Sequence, residues 1–112
     1  MADNLLVIKS KQFALEVIRI CNDVRKNKRE YALADQLIRS GTSIGANIRE
    51  ANFAASKADF INKLQIALKE CYETEYWLEL LVEGGYYSDH TVLNRCIEIK
   101  KLLIASIKTA KG

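Results

Sequence analysis

From Leu37 to Ala51 the chain reads Leu-Ile-Arg-Ser-Gly-Thr-Ser-Ile-Gly-Ala-Asn-Ile-Arg-Glu-Ala. At helical spacing, Leu37, Gly41, Ile44, Ile48, Ala51 and Ala55 form one stripe, and Arg39, Ser43, Ala46 and Glu50 form the opposite one. A glycine inside a helix costs roughly 0.5–1 kcal/mol relative to alanine. Two within five residues are offset if another helix approaches closely at Gly41 and Gly45. A hinge or ligand contact is the functional alternative. The segment therefore reads as a helix with an aliphatic seam in front and a small-residue seam behind, buried on both sides.

The flanking sequence supplies the other members. The 112 residues contain no proline, so long helices can run unbroken. Asp3 or Asn4 suits the cap of a first helix running to about Asn27, with its seam at Leu6, Phe13, Val17, Ile20 and Val24. Ala14, Ile18 and Cys21 lie alongside that seam. Arg25, Lys26, Lys28 and Arg29 follow at its end, where cations complement the unpaired carbonyls. The second helix is expected from near Glu30 to near Ala55. Ser56 then resembles an N-cap, with Asp59 three residues on.

A third helix, Lys57 to Glu83, has its seam at Phe60, Leu64, Ala67, Leu68, Cys71, Leu78 and Val82. Glu75 shares that stripe. Either it has a cationic partner, for which Arg39 and Arg49 are candidates, or it lies at the edge of the seam. Ile66, Trp77 and Leu81 form a second apolar stripe, which points to a subunit interface or a fold-back contact. Gly84-Gly85 ends this helix, and Ser88 or Asp89 caps a fourth running to about Ala110. Its seam is Val92, Cys96, Ile99 and Leu103. Short links between long helices imply antiparallel neighbours. The expected fold is all-α, an antiparallel up-down-up-down four-helix bundle forming one domain over residues 1–112.

Little in the sequence suggests catalysis. His90 is the sole histidine, and the Glu-x-x-His pattern of di-iron bundles is missing. Cys96 lies six residues from His90 and on a different face, which disfavours both a zinc site and a thiol nucleophile. The Gly41–Gly45 stretch lacks the Gly-Lys-Ser/Thr ending of a phosphate loop. No enzyme, metal or cofactor is expected. Three cysteines inside apolar helical patterns, with no signal peptide and no membrane span, point to the cytoplasm.

Charge is unevenly distributed. Residues 1–30 carry seven Lys/Arg against four Asp/Glu, and residues 88–112 carry five against two. Residues 57–87 carry three against six. Two basic helices and one acidic helix suit an acidic partner such as nucleic acid. They equally suit head-to-tail assembly of basic face on acidic face.

The run Arg39-Ser40-Gly-Thr-Ser43-Ile44-Gly-Ala46-Asn47-Ile48-Arg-Glu50, then Phe60, Ile66-Ala67-Leu68-Lys-Glu70 and Glu73-Thr-Glu75-Tyr-Trp77-Leu78, resembles a family of bacterial four-helix-bundle proteins. These were first noticed as reading frames in intervening sequences of 23S ribosomal RNA genes. The likeness covers nearly the whole chain from Phe13 onward; Glu50-Ala51 stands where the family has Glu-Gly. It implies a homopentamer with a central opening. A related branch, the accessory protein of diversity-generating retroelements, is a basic pentamer that binds a reverse transcriptase and nucleic acid.

The expected function is a non-enzymatic homo-oligomeric scaffold contacting RNA, DNA or a nucleic-acid-handling protein. Its basic contacts are Arg25, Lys26, Lys28, Arg29 and Arg95 at one end, with Lys9, Lys11, Lys108 and Lys111 at the other. The alternative is a protein-only adaptor. Expected at the oligomer interface are Arg39, Ser43, Ala46, Glu50, Ile66, Trp77 and Leu81.

Overall fold

The computed structural model describes residues 4–112. Four helices follow one another: α1 (Asn4–Lys28), α2 (Ala32–Ala51), α3 (Lys57–Glu83) and α4 (Thr91–Lys111). Each packs on the next and α4 returns to α1, while the backbones of the diagonal pairs stay apart across the core. The result is the expected antiparallel bundle, 44 × 20 × 19 Å. The α1–α4 contact is the thinnest of the four.

Local chemistry explains most of the boundaries. At the start of α3, Asp59 N–H donates to Ser56 Oγ at 3.1 Å, and Ala55 N–H donates to Asp59 Oδ2 at 3.3 Å. Ser56 thus caps α3, as the spacing predicted, and the Asp59 carboxylate reaches back to the amide just before the cap. α3 ends with Gly85 at φ +82, in the left-handed region. Tyr86 N–H then reaches the Leu81 carbonyl at 2.9 Å, and Gly85 N–H reaches that of Val82 at 3.2 Å. Asp89 accepts from Thr91 N–H and Thr91 Oγ1 at the start of α4. Of the two caps expected for α1, Asp3 lies outside the described residues. α2 stops at Ala51 rather than near Ala55. There the Asn52, Phe53 and Ala54 N–H groups turn back onto the carbonyls of Arg49, Glu50 and Ala51.

The core takes the predicted seams. Phe13, Val17 and Val24 of α1 meet Leu37, Ile44 and Ile48 of α2, Leu64 and Leu78 of α3, and Val92 and Leu103 of α4. The glycines of α2 are explained by packing. A Cβ built on Gly41 would lie 2.9 Å from Val17 Cγ1, and one on Gly45 would lie 3.3 Å from Ser10 Oγ. α1 therefore rides directly on the α2 backbone. On the α3 side, buried Ser40 and Thr74 place their hydroxyl oxygens 2.9 Å apart. A pair of hydroxyls at that spacing sets the register of α2 against α3.

Two expectations need correction. α2 is buried on one side only: Arg39, Ala46 and Glu50 are exposed and Ser43 is half-buried. The small-residue seam therefore lies on the surface of the chain. Glu75 lies at the edge of the seam and does have a cationic partner, but that partner is neither Arg39 nor Arg49. Lys100 Nζ of α4 donates to Glu75 Oε1 at 2.7 Å. The contact lies at the α3–α4 edge, where Lys100 also sits 5.1 Å from the centre of the Tyr72 ring. The hydrogen bond to Glu75 raises the pKa of Lys100.

Gly41→Ala and Gly45→Ala should differ in stability. The methyl at position 41 meets a stiff, buried valine, and overpacking of this kind costs ~1–3 kcal/mol. The methyl at position 45 meets a rotatable hydroxyl, and the gain in helix propensity of ~0.5–1 kcal/mol offsets the contact. Denaturant titration is expected to show Gly41→Ala clearly weakened and Gly45→Ala close to wild type. Equal effects would contradict close packing at Val17.

Candidate nucleic-acid interface

The basic cluster at the end of α1 is shaped by an unusual residue. Arg29 adopts φ 53, a left-handed conformation normally occupied by glycine after a helix. Glu30 N–H closes the turn on the Val24 carbonyl at 3.4 Å, and Glu30 Oε1 accepts from Leu33 N–H at 2.9 Å to start α2. Lys26, Lys28 and Arg29 are left in solvent. None of the three has an ion-pair partner among the described residues. Tyr31 follows, 57% exposed.

The other two members of the expected cluster are placed differently. Arg25 is half-buried and donates to Asp35 Oδ1 at 2.7 Å, so α2 already neutralises it. Arg95 is paired with Glu16. Glu16 stands nine residues before Arg25 on α1, about 13 Å along the axis at ~1.5 Å per residue. Arg95 is thus a flank residue and not part of the end cluster. At the other end Lys9 is held by Glu98 at 3.1 Å, while Lys11, Lys108 and Lys111 are exposed without ion-pair partners among the described residues. Arg19 and Lys101, which the sequence did not single out, are also exposed and unneutralised.

The expected oligomer residues fall on the α2–α3 side. Arg39 bridges Glu70, at 3.3 Å, and Glu73. Trp77 Nε1–H donates to Glu73 Oε2 at 3.0 Å, and the Trp77 ring is tilted against Tyr76 with centroids 5.2 Å apart. Glu50 pairs with Lys63 at 3.2 Å, so Arg39 and Glu50 bind separate α3 partners and not each other. Ser43 Oγ donates to the Arg39 carbonyl at 2.7 Å, Ala46 is exposed and Ile66 is half-buried.

Leu81 is a correction. It is 0% exposed and belongs to the core, so it cannot face a second subunit. Trp77 is half-buried and packs against that core. The stripe was drawn by spacing alone, and α3 is rotated so that Leu81 turns inward. A surface the sequence reading passed over lies on α1. Ile8 and Leu15 share its outward face with Ile18, which was expected alongside the core seam and is exposed instead. Their spacing of seven and three residues was the available signal.

The chemistry of the thiols follows from burial. Cys21, Cys71 and Cys96 are all free and buried. Burial pushes the Cys21 thiol up to about 11. A hydrogen bond with Cys71, then burial, raises that of Cys96. Such thiols are poor nucleophiles, because the thiolate is the reactive form. Among the described residues no group of three His, Cys, Asp or Glu side chains is placed to hold a metal ion. No described helix is long and apolar enough to cross a membrane.

Residues 2–105 match the family described as 23S rRNA-intervening sequence protein. The chain is also similar to a protein of unknown function from the S23 ribosomal protein family of Bacteroides thetaiotaomicron, whose crystal structure is known at 1.70 Å. The two share 49% identity over 92% of this chain and 98% of that one, with a TM-score of 0.90. No curated protein matches in sequence.

Arg29→Gly should stabilise the protein by ~0.5–1 kcal/mol, since glycine takes positive φ without steric cost. A higher midpoint in urea at unchanged slope is the expected result. A loss of stability would mean that the arginine side chain is held by contacts outweighing the backbone strain.

Proposed function

We propose that this chain, which belongs to the 23S rRNA-intervening sequence protein family, is a non-enzymatic homo-oligomeric scaffold that contacts structured RNA through the α1–α2 turn. The assembly is a pentamer in the cytoplasm. The observation that carries the RNA contact is the trio Lys26, Lys28 and Arg29, exposed in one turn without neutralising carboxylates among the described residues. Two cations that flank the α1–α4 contact are by contrast already held, Lys9 by Glu98 and Arg95 by Glu16. A basic turn of this kind attracts phosphate without reading sequence. Tyr31 beside it offers a ring face on which an unpaired base can stack. The three buried free thiols suit a reducing compartment.

A second reading rests on a different observation. The exposed aliphatic row on α1 suits protein contact better than nucleic acid, which favours an adaptor with no RNA of its own. The fold analogy with retroelement accessory proteins makes an RNA-handling enzyme a candidate partner for it.

A salt titration against fluorescent structured RNA and duplex DNA of equal length separates these readings. The scaffold should bind RNA at micromolar Kd or tighter in low salt, with affinity falling steeply as salt rises. Lys26→Gln/Lys28→Gln/Arg29→Gln should flatten the log–log slope by about two to three, at ~0.7–0.9 per lost phosphate contact. An unchanged slope would remove the turn from the interface. No binding even in low salt would leave the protein adaptor.

A further inference from the structure

Two of the three thiols face each other across the α3–α4 interface. Cys71 Sγ and Cys96 Sγ are 3.8 Å apart, and both residues are 0% exposed. Each sulfur also lies against the other residue's carbonyl oxygen, Cys71 Sγ at 3.4 Å and Cys96 Sγ at 3.5 Å. The two side chains thus reach across the interface at one level. A bonded pair of sulfurs sits at about 2.0 Å, so a disulfide needs them to close by roughly 1.8 Å. Cys21 of α1 is turned to α2 instead, where its thiol donates to the Ala34 carbonyl at 3.3 Å.

The facing pair has a cover. Glu75 stands one turn after Cys71, and Lys100 one turn after Cys96. α3 and α4 are antiparallel, so these two turns lie on opposite sides of the thiols, about 12 Å apart along the axis at 1.5 Å of rise per residue. To meet at 2.7 Å, the Lys100 and Glu75 side chains must pass the level of the two sulfurs. The Tyr72 ring adds to this strap, with its centre 5.1 Å from the Lys100 ammonium. The charges of the strap reach the thiols. The Cys71 hydrogen bond and burial raise the pKa of Cys96 most, Glu75 adds to the rise and Lys100 opposes it.

We propose that Cys71 and Cys96 form a modification site, a dithiol that hydrogen peroxide converts to a disulfide joining α3 to α4, with the Lys100–Glu75 strap as its gate. Under the closed strap both thiols are shut away from solvent and stay reduced. When the strap lifts, one sulfur loses its proton and attacks a peroxide oxygen. The O–O bond breaks, the sulfur becomes a sulfenic acid, and the departing hydroxide takes up a proton to leave as water. The second thiol then attacks that sulfur, the S–O bond breaks and a second water leaves. Two thiols have given up two electrons, and one peroxide has become two waters. In a reducing compartment the pair rests as the dithiol, and its disulfide is transient. While present, the bond closes a loop between positions 25 residues apart and constrains the unfolded chain.

Dilute hydrogen peroxide added to the native full-length protein tests this. Samples are quenched at intervals, unfolded in urea and alkylated, and the thiols are located by mass spectrometry. Wild type should lose two of its three thiols, with the Cys71 and Cys96 peptides joined within one chain and Cys21 still alkylated. The oxidised protein should have a higher urea midpoint than the reduced one. Glu75→Gln, which frees the strap, should speed the loss severalfold. Glu98→Gln, which breaks the Lys9 pair on the opposite flank of α4, should react at the wild-type rate. Loss of Cys21 together with the pair, peptides joined between two chains, or single cysteines carrying oxygen overturns the site. A pair that stays reduced even in Glu75→Gln does the same, and a lowered urea midpoint shows a bond that the native packing resists and also overturns it. Equal acceleration in the two glutamate variants means that general loosening of α4 admits the oxidant, and overturns the gate.

Discussion

Much of the architecture depends on how closely α1 approaches α2. Gly41 and Gly45 remove the side chains that would hold the helices apart, and Val17 and Ser10 occupy the space. One face of α2 is consumed in this contact. The α3 contact is then set by the Ser40–Thr74 hydroxyl pair and by Arg39 reaching Glu70 and Glu73. Dispersion is strongest where backbones come close, and it falls off within about an ångström of separation. The glycines therefore have a packing reason that intrinsic helix preference does not supply.

Because α1 is drawn onto α2, its contact with α4 is thin and largely polar at its margin. Lys9–Glu98 and Glu16–Arg95 cross it. Exposed pairs of this kind contribute little to stability, typically ~0–1 kcal/mol each. Their larger consequence is electrostatic selection. They remove some cations from the surface field and leave others free, at the α1–α2 turn, along the outer face of α1 and towards the end of α4. A modest formal charge of +3 thus conceals a chain with distinct basic and acidic sides.

The helices, the Ser56 cap, the Gly84-Gly85 stop and the buried seams were legible in sequence, because each depends on residues within a few positions of one another. The basic turn was legible as a cluster, but its membership was not. Arg25 is lost to Asp35 and Arg95 lies on the flank. Trp77 and Leu81 share a stripe by spacing, yet one is half-buried and the other wholly buried. A helix drawn from spacing has faces but no absolute rotation relative to its neighbours, and some tens of degrees decide whether a leucine is core or surface.

By itself, the sequence determined that four amphipathic helices form, where they begin and end apart from the last turn expected of α2, and that α2 must meet another helix at its glycines. Those properties come from local backbone preference and helical period. Only the tertiary structure decided that Glu75 pairs with Lys100, that Arg39 and Glu50 bind separate partners on α3, and that Ile8, Leu15 and Ile18 stay uncovered. The physical reason is that ion pairing and burial depend on distances between residues far apart in the chain. Those distances are set by the rotation and register of whole helices packed against one another.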